Sequence, residues 1–372
     1  MTDLISFFFS YGLPLCLVSF VGQKVYHNLY NKKSKGGTVV VGLQFGDEGK
    51  GKVVQHYIQN QKFDVCARFN GGPNAGHTIY KNGVKIVTHV IPTGIAYGAQ
   101  CLIGPGCVID PEKFQEELDY LSQYIDEPEK YIKVAHNAHI ITSDALEQDK
   151  ANDKIGTTLS GIGPTYAAKC LRTEATRVED MKDQAGMFYG CQIVDSEEYL
   201  RDKSVLFEGA QGFSLDIDWG FFYPYVTSSS CLTSQALTTG MPHQLLNEVL
   251  GVAKLYETYV GKYKFQPEND QNLINLQKVG NEFGATTNRP RQCNWLNLDR
   301  LDKAIRINGV TKLIINKCDI VNQVGIFKLY QNGQVQNFQD LDQMQEYITD
   351  YLKKRHSDYL KEIIYSYSPD YI

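Results

Sequence analysis

Residues 42–54 read GLQFGDEGKGKVV, and this stretch decides the fold. The apolar run TVVV precedes it at residues 38–41, and KVVQHYIQN at residues 52–60 carries apolar side chains at helical spacing. A strand, a glycine-rich loop and a helix in this order are the setting of a phosphate-binding loop. In such a loop, backbone N–H groups and the positive end of the helix dipole converge on an anion.

The loop departs from the usual pattern at the position that holds the metal. Residues 46–52 have the spacing Gly-x-x-x-x-Gly-Lys, but Val53 stands where such a loop needs Ser or Thr for magnesium. Asp47 and Glu48 also sit inside a loop that is built to receive phosphate. Because a bound triphosphate repels a carboxylate unless a cation lies between them, we interpret Asp47 as a magnesium ligand or as a base that acts on a second substrate.

The rest of the chain continues the alternation of strands and helices. Apolar runs bounded by turn residues predict buried strands within residues 101–110, 205–212 and 311–319, whereas residues 112–125 and 298–307 have the spacing of amphipathic helices. The predicted fold class is therefore α/β, with a mostly parallel central sheet flanked by helices and a P-loop-like nucleotide-binding architecture. Glycine-rich and polar segments follow several strands, where open α/β sheets bind their ligands.

Composition narrows the class of partner. A chain of 372 residues with 42% hydrophobic residues can build a large core, and its net charge of −5 gives no argument for nucleic acid as a partner. Small molecules are the expected partners.

The nine cysteines follow no metal-binding pattern, which favours reduced thiols in the cytoplasm. We interpret His136 and His139 as ordinary loop or strand residues because no Cys or carboxylate ligand stands near them in the sequence.

The N-terminal segment differs from the remainder of the chain. Residues 4–21 contain no charge and are followed by a polar and basic run that ends at Lys35. This pattern fits either a membrane anchor or an extension outside the functional fold. We therefore divide the chain into an N-terminal extension, residues 1–36, and a catalytic domain, residues 37–372.

Further segments contain residue types that suit catalysis or anion binding. In NGGPNAGHT, residues 70–78, small neighbours are expected to leave the His77 imidazole accessible, with a pKa near working pH, as suits a general acid. KIGTTLSGIGPTY (154–166), EGAQG (208–212) and YPYVTSSS (223–230) offer amides and hydroxyls to phosphate. Together these loops favour a nucleotide-binding enzyme over a structural protein.

Two later motifs point to a carboxylate or phosphate substrate and to guanine. FGATTNRPR, residues 283–291, places two threonines before two arginines, whose guanidinium groups suit carboxylates and phosphates. NKCD, residues 316–319, follows a predicted strand. An Asp in this setting can accept hydrogen bonds from N1 and the 2-amino group of guanine, while the Lys stem lies along the base.

The ordered series GDEGKGK, NAGHT, KIGTT with GIGPTY, EGAQG, YPYVTSS, FGATTxRPR and KxD resembles the adenylosuccinate synthetase family, most closely over residues 38–322 and in the short form found in archaeal and viral members. The resemblance implies a C–N bond-forming ligase of purine biosynthesis. Such an enzyme uses GTP and Mg²⁺ to join L-aspartate to IMP through 6-phosphoryl-IMP, and it yields adenylosuccinate, GDP and phosphate on the way to AMP. It also implies a cytoplasmic homodimer.

The resemblance assigns roles residue by residue. Asp47 removes the N1 proton of IMP and binds Mg²⁺ together with the Gly76 carbonyl, His77 is the acid at the 6-oxygen, and the catalytic set is Asp47, His77 and Gln211. The residues implied for GTP are Gly46, Glu48, Gly49, Lys50, Gly51, Lys52, Gly76, Thr78, Asn316, Lys317, Asp319, Ser366, Ser368 and Pro369. Those for IMP are Asp47, Asn74, Ala75, Thr158, Arg172 from the neighbouring subunit, Gln211, Thr227 and Arg289. Those for aspartate are Thr286, Thr287, Arg289 and Arg291.

Some positions depart from the family pattern. Phe45 stands where members usually have Trp, Asn288 where they have Gly, and Ser160 where many have Arg. Residues 368–371 read SPDY in place of Gly-Pro-Asp-Arg, which affects the contacts to GTP.

Two alternatives follow from the same motifs. Viral relatives use dGMP with ATP to make a 2-aminoadenine precursor, and many of them lack the Asp of the GDEGKGK loop. Asp47 is present here, and with NKCD it favours IMP and GTP. The alternative of another class is an inactive GTP-binding regulatory protein, which would have no need of the aspartate-binding arginines together with His77.

Overall fold

A computed structural model of the protein describes residues 35–81, 83–151, 155–284, 289–369 and 372. Gly36–Ile372 forms one compact unit. The uncharged segment at residues 4–21, interpreted as an anchor or an extension, lies outside the described residues. Within the described ranges, no helix combines the length and apolar character that a membrane span requires.

The strands are short, and most of them are buried. In chain order they are β1 (Gly36–Gly42), β2 (Val65–Arg68), β3 (His77–Lys81), β4 (Val84–Thr88), β5 (Gln100–Ile103), β6 (Val108–Ile109), β7 (Ile132–Ala135), β8 (His139–Ile140), β9 (Met187–Phe188), β10 (Cys191–Val194), β11 (Ser204–Glu208), β12 (Leu246–Lys254), β13 (Tyr256–Tyr259), β14 (Gln292–Asn297), β15 (Lys312–Asn316), β16 (Lys328–Gln331), β17 (Gln334–Asn337) and β18 (Glu362–Tyr365).

Helices connect the strands, as expected for parallel neighbours. They are α1 (Lys50–Asn60), α2 (Pro111–Leu121), α3 (Ser143–Ala151), α4 (Ile162–Leu171), α5 (Ser196–Leu200), α6 (Gln271–Val279), α7 (Leu298–Asn308), α8 (Cys318–Val324) and α9 (Leu341–His356). The helices predicted after the glycine loop, at residues 112–125 and at residues 298–307 are confirmed as α1, α2 and α7.

One large sheet dominates the described part of the chain. Its ten strands lie in the order β18-β15-β12-β1-β11-β2-β5-β7-β10-β9, and each neighbouring pair is parallel except β10 with β9 at one edge. The predicted fold class is confirmed. A smaller sheet, β13-β14-β16-β17, and the pairs β3-β4 and β6-β8 complete the strand pairing.

The central strand β1 is buried along its whole length because it packs against apolar layers on both faces. Val39 and Val41 belong to one hydrophobic cluster, and Val40, which points the opposite way, belongs to the other. This alternation is what a strand between two layers of helices requires. It explains why TVVV is a continuous apolar run.

The order of the strands brings distant loops together. The carboxyl ends of β1, β11 and β2 are neighbours in the sheet, so the loops that begin at residues 43, 209 and 69 start side by side. β12 and β15 continue the same edge on the other side of β1. Open α/β sheets bind ligands at this edge.

Candidate active site

A cavity of about 420 Å³ opens at the carboxyl edge of the main sheet. It brings together the glycine loop after β1, the NAGHT segment after β2 and the residues that follow β11 and β13. The predicted site residues that line it are Gly46, Asp47, Gly49, Lys50, Gly51, Asn74, Ala75, Gly76, His77, Thr78, Thr158, Gln211, Thr227, Arg289 and Arg291.

Glu48 is buried and holds the glycine loop in shape. Its carboxylate accepts hydrogen bonds from the backbone N–H of Gln44 (3.1 Å) and Gly46 (2.9 Å), and from the Lys50 ammonium (2.7 Å). The Lys50 ammonium also donates to the Gln211 carbonyl oxygen. A buried carboxylate that receives several N–H groups is well satisfied. In this conformation Glu48 therefore stabilises the loop from inside.

Asp47 has the opposite surroundings, since its carboxylate faces the cavity. The Arg291 Nε lies 2.8 Å from an Asp47 carboxylate oxygen, and the Asp47 side chain remains 37% exposed. The second branch of Arg291, Nη1, donates to the buried Glu282 carboxylate at 2.6 Å. Arg291 thus joins the glycine loop to the FGATTNRPR segment.

Several site residues adopt the left-handed backbone region that side chains other than glycine rarely occupy. Asp47 has φ 59°, Gln211 φ 53° and Lys317 φ 67°. Such conformations cost about 1–3 kcal/mol each and persist where the surroundings enforce them, which is most often at functional sites. All three residues follow strands of the main sheet, at its carboxyl edge.

The expectation that His77 is accessible, with a pKa near working pH, is wrong. His77 begins β3, is only 7% exposed, and pairs through Nδ1 with the buried Glu208 at the end of β11. The Arg68 Nη1 lies 3.3 Å from the same ring nitrogen. Desolvation, followed by the positive charge of Arg68, lowers the pKa of His77 to about 4.

This geometry assigns a tautomer to His77. A carboxylate only accepts hydrogen bonds, so the proton lies on Nδ1 and Nε2 is the nitrogen left for a ligand in the cavity. Glu208 is itself held by Thr93, whose backbone N–H (2.8 Å) and hydroxyl (3.1 Å) donate to its other oxygen. The imidazole is therefore fixed in orientation before any substrate binds.

The residues predicted to bind the guanine base of GTP lie beside the glycine loop but outside the cavity. The Asn316 amide donates to the Glu48 carbonyl oxygen at 2.7 Å and so ties NKCD to this loop. Lys52 donates to the Ser366 hydroxyl (2.7 Å) and to the Ser368 carbonyl (2.8 Å). These contacts bring the C-terminal segment to the glycine loop. Glu48, Lys52, Asn316, Lys317, Asp319, Ser366, Ser368 and Pro369 do not line the cavity itself.

The remaining predicted residues are placed unevenly. Thr286 and Thr287 lie outside the described residues. The ends of their segment are described: the Phe283 and Pro290 backbones pair in an antiparallel bridge. Arg172 is exposed directly after α4 and does not line the cavity.

Sequence reasoning missed residues that have no motif. Arg68 and Glu282 are fully buried charged residues beside the site. Tyr259, at the end of β13, and the following Val260 and Gly261 line the cavity. The position of Arg68 directly after the apolar residues 65–67 is the available signal for it, whereas Glu282, within GNEFG at residues 280–284, has no such signal. Phe45 is buried and stacks on Phe222 with a centroid separation of 5.6 Å.

No group of three His, Cys, Asp or Glu side chains that could hold a metal occurs in the described part of the chain. The His136 Nδ1 instead contacts Glu179 at 3.2 Å. The eight described cysteines are free thiols, and all except Cys170 are buried.

Comparison with known proteins identifies the family. The sequence model described as adenylosuccinate synthetase matches residues 39–190 and 188–353. The adenylosuccinate synthetase of Christiangramia forsetii is 39% identical over 342 residues, which cover 78% of this chain and 80% of that protein. That of Flavobacterium johnsoniae is 38% identical over 335 residues, covering 76% and 78%.

Solved structures agree with this result. The structure of fully ligated adenylosuccinate synthetase from Plasmodium falciparum has a TM-score of 0.74 at 26% identity and covers 90% of this chain and 98% of its own. The succinoaminodeoxyadenylate synthetase of cyanophage S-2L, bound to dGMP and dATP, has a TM-score of 0.70 at 24% identity, covering 90% and 93%, and therefore shows a shared fold alone. The family match and the curated relatives together lead to one conclusion: the chain belongs to the adenylosuccinate synthetase family.

Proposed function

We propose that the cavity at the carboxyl edge of the main sheet joins L-aspartate to IMP at the expense of GTP, through 6-phosphoryl-IMP. One observation carries the proposal. A carboxylate (Asp47), an oriented imidazole (His77) and a carboxylate-binding guanidinium (Arg291) converge with a phosphate-binding loop on one cavity. A protein that only binds GTP requires the loop but not the other three groups.

The first chemical step activates the purine. A carbonyl oxygen is a poor leaving group, so it must become a phosphate ester before an amine can replace it. In our proposal Asp47 accepts the N1 proton, and the 6-oxygen then attacks the γ-phosphoryl group of GTP, whose bond to the β-phosphate breaks so that GDP leaves. The glycine loop and its lysines hold the phosphates, because phosphoryl transfer depends mainly on positioning and neutralisation of charge.

Mg²⁺ fits the groups around the glycine loop. Asp47 is partly exposed, and Gly76 lines the same cavity, so a carboxylate and a carbonyl oxygen are available near the predicted phosphate position. Mg²⁺ prefers oxygen ligands and is usually bound by one or two protein oxygens together with substrate phosphates. When bound, it would neutralise the phosphate charge, and the Asp47 carboxylate would take the place of the hydroxyl ligand that is missing at Val53.

His77 is neutral at pH 7 in the free protein because its pKa lies near 4. Negative charge that arrives at its Nε2 reverses this shift, since a neighbouring anion favours the protonated imidazole. A proton held between Nε2 and the 6-oxygen or the transferred phosphoryl group then stabilises the transition state. Glu208 keeps the ring oriented during this change.

The second step uses the aspartate side of the cavity. The amine of L-aspartate displaces phosphate from C6, while Arg289 and Arg291, with Thr286 and Thr287, bind the aspartate carboxylates. Arg291 now contacts Asp47, so a substrate carboxylate must compete for this guanidinium. Competition of this kind would release Asp47 for its role as base.

The proposal also includes the nucleotide that donates the phosphoryl group and the quaternary structure. Lys317 and Asp319 read guanine, which favours GTP over ATP. Arg172, exposed at the end of α4, reaches the IMP phosphate of a neighbouring subunit in a homodimer. The catalytic domain is residues 37–372. Buried free thiols fit a reducing compartment, so we place the enzyme in the cytoplasm.

The test is a product assay on the full chain with L-aspartate and Mg²⁺, in which IMP or dGMP is crossed with GTP or ATP. We expect adenylosuccinate from IMP and GTP. A preference for dGMP would instead assign the chain to the 2-aminoadenine branch. No succinylated nucleotide from any of the four combinations, with GTP still bound, would indicate an inactive GTP-binding protein.

A further inference from the structure

Glu282 is a fully buried carboxylate between α6 and the segment FGATTNRPR. One of its oxygens accepts a hydrogen bond from the Arg291 Nη1 at 2.6 Å. The backbones of the same two residues also pair, because the Arg291 N–H donates to the Glu282 carbonyl at 3.0 Å. Glu282 is anchored in turn by the Gln277 carbonyl at the end of α6, which accepts its N–H at 3.0 Å.

The other oxygen of Glu282 faces two cations from different parts of the chain. Lys254, at the end of β12, is 1% exposed and has its ammonium 3.3 Å away. The ammonium of Lys317, which belongs to NKCD after β15, lies 4.0 Å away and also donates to the Gly280 carbonyl at 3.1 Å. The Tyr256 hydroxyl donates to this oxygen as well.

The charges show why the carboxylate stays ionised. Burial alone would raise the pKa of Glu282, but Lys254, Arg291 and Lys317 together lower it to about 2. Glu282 is therefore negative at every pH at which an enzyme of this kind works. Because a buried charge costs several kcal/mol unless it is well paired, the three cations are held close to it.

From these contacts we infer that Glu282 is a positioning residue that holds Arg291 and Lys317 in place for two different substrates. The inference rests on the proposed function, in which Arg291 binds aspartate and Lys317 contacts the donor base. Both side chains are long and flexible. A carboxylate that restricts them before binding reduces the conformational entropy that each substrate must overcome. One buried group thereby sets the affinity of two sites on opposite sides of the glycine loop.

The test is Glu282→Gln in the full-length enzyme, with initial rates measured while each substrate is varied. The amide keeps the shape and removes the charge. We expect KM to rise about tenfold for aspartate and for GTP, as expected for loss of one charge-assisted contact. KM for IMP should change less than twofold, and kcat should fall less than either KM rises. A merely structural role would lower the amount of active enzyme, and so kcat, with KM values unchanged.

Two further variants make the result decisive. Asp302→Asn is the matched control, because Asp302 is also a buried carboxylate that pairs with two basic side chains, Arg355 and His356, but it does not line the cavity. It should lower thermal stability without changing KM for aspartate or GTP. If Glu282→Gln does not fold, the double variant Glu282→Gln/Lys254→Met removes the buried cation that has lost its partner. In this double variant the KM values for aspartate and for GTP should both remain high.

The outcomes separate the two hypotheses. A wild-type enzyme that forms no adenylosuccinate contradicts the proposed function. An active wild type with a Glu282→Gln variant whose KM values for aspartate and GTP both stay within twofold overturns the positioning role. A rise for only one of the two substrates overturns the link between the sites.

Discussion

Replacing Arg68 by Met should raise the pKa of His77. Arg68 is fully buried, and its Nη1 lies 3.3 Å from the His77 Nδ1. Within the described ranges, its Nε and Nη2 have no hydrogen-bond partner, so Met removes a charge and few hydrogen bonds. Without that charge, Glu208 is compensated only when His77 is protonated.

The size of the effect follows from the separation. At 3.3 Å, Coulomb's law with an effective dielectric constant of about 20 gives about 5 kcal/mol as an upper bound. Because the guanidinium charge is delocalised and neighbouring charges shift a pKa by about 1–3 units, we expect the His77 pKa to rise by about 1–3 units from its value near 4. It would then lie at about 5–7.

The free energy of unfolding should also depend on pH, and it should depend on pH less in Arg68→Met than in the wild type. In the wild type the folded pKa of His77 lies below its ordinary value of 6.5, so the unfolded chain binds the proton more readily and stability falls as pH decreases from 6.5 towards 4. The difference between a pKa of 6.5 and one of about 4 corresponds to about 3 kcal/mol. Arg68→Met should lose less stability over this window, because its folded pKa is closer to the unfolded one.

The assay is an NMR titration of histidine-labelled full-length protein, with the His77 resonance assigned from its absence in a His77→Gln variant. Urea unfolding at pH 7 and pH 4.5 measures the stability difference. Glu208→Gln is the opposite control, since loss of the carboxylate should lower the pKa further. A His77 midpoint that moves by less than half a unit in Arg68→Met, or that falls, would refute the reasoning.

Three other changes test the rest of the site. Asp47→Asn should reduce product formation at least about 100-fold while the Tm stays within about 2 °C, because loss of a general base costs about that much and Asn tolerates the left-handed backbone at φ 59°; near-normal turnover would remove Asp47 as the base. Asp319→Asn should raise KM for GTP relative to KM for ATP, because an amide pairs poorly with the two N–H donors of guanine. Steady-state kinetics with GTP and with ATP measure this ratio, and an unchanged ratio would show that Asp319 does not select the base. Gly212→Ala should destabilise the protein by about 1–3 kcal/mol in urea unfolding, because its Cβ would overlap the Glu48 carboxylate and the Gln44 carbonyl; a stability equal to wild type would mean that this packing relaxes freely.

The strand and the helix on either side of the glycine loop, β1 and α1, could be predicted from the sequence. TVVV is apolar on both faces because β1 lies between two layers, and KVVQHYIQN has helical spacing because α1 covers one of them. Both patterns can be recognised from residues that are close in the chain. The same holds for the α/β fold class, since alternating strands and helices have few other ways to bury their apolar faces.

The ordered motifs also indicated most of the residues that line the cavity. Asp47, His77 and Gln211 come from three segments separated in the chain, yet each segment follows a parallel strand of the main sheet. Knowledge of the sheet type was therefore enough to expect them at one edge. The placement of Glu48 was not foreseeable, because its role depends on which backbone N–H groups turn towards it.

The environment of each charged group was decided only by the tertiary structure. The sequence by itself determined the strand-loop-helix unit, the α/β class and the family motifs, all of which depend on neighbouring residues. His77 looked accessible among small neighbours, but β11 and β2 place Glu208 and Arg68 against it and lower its pKa. Burial and Coulomb interactions depend on distances across the sheet, between residues that are far apart in the chain, and no local pattern encodes those distances.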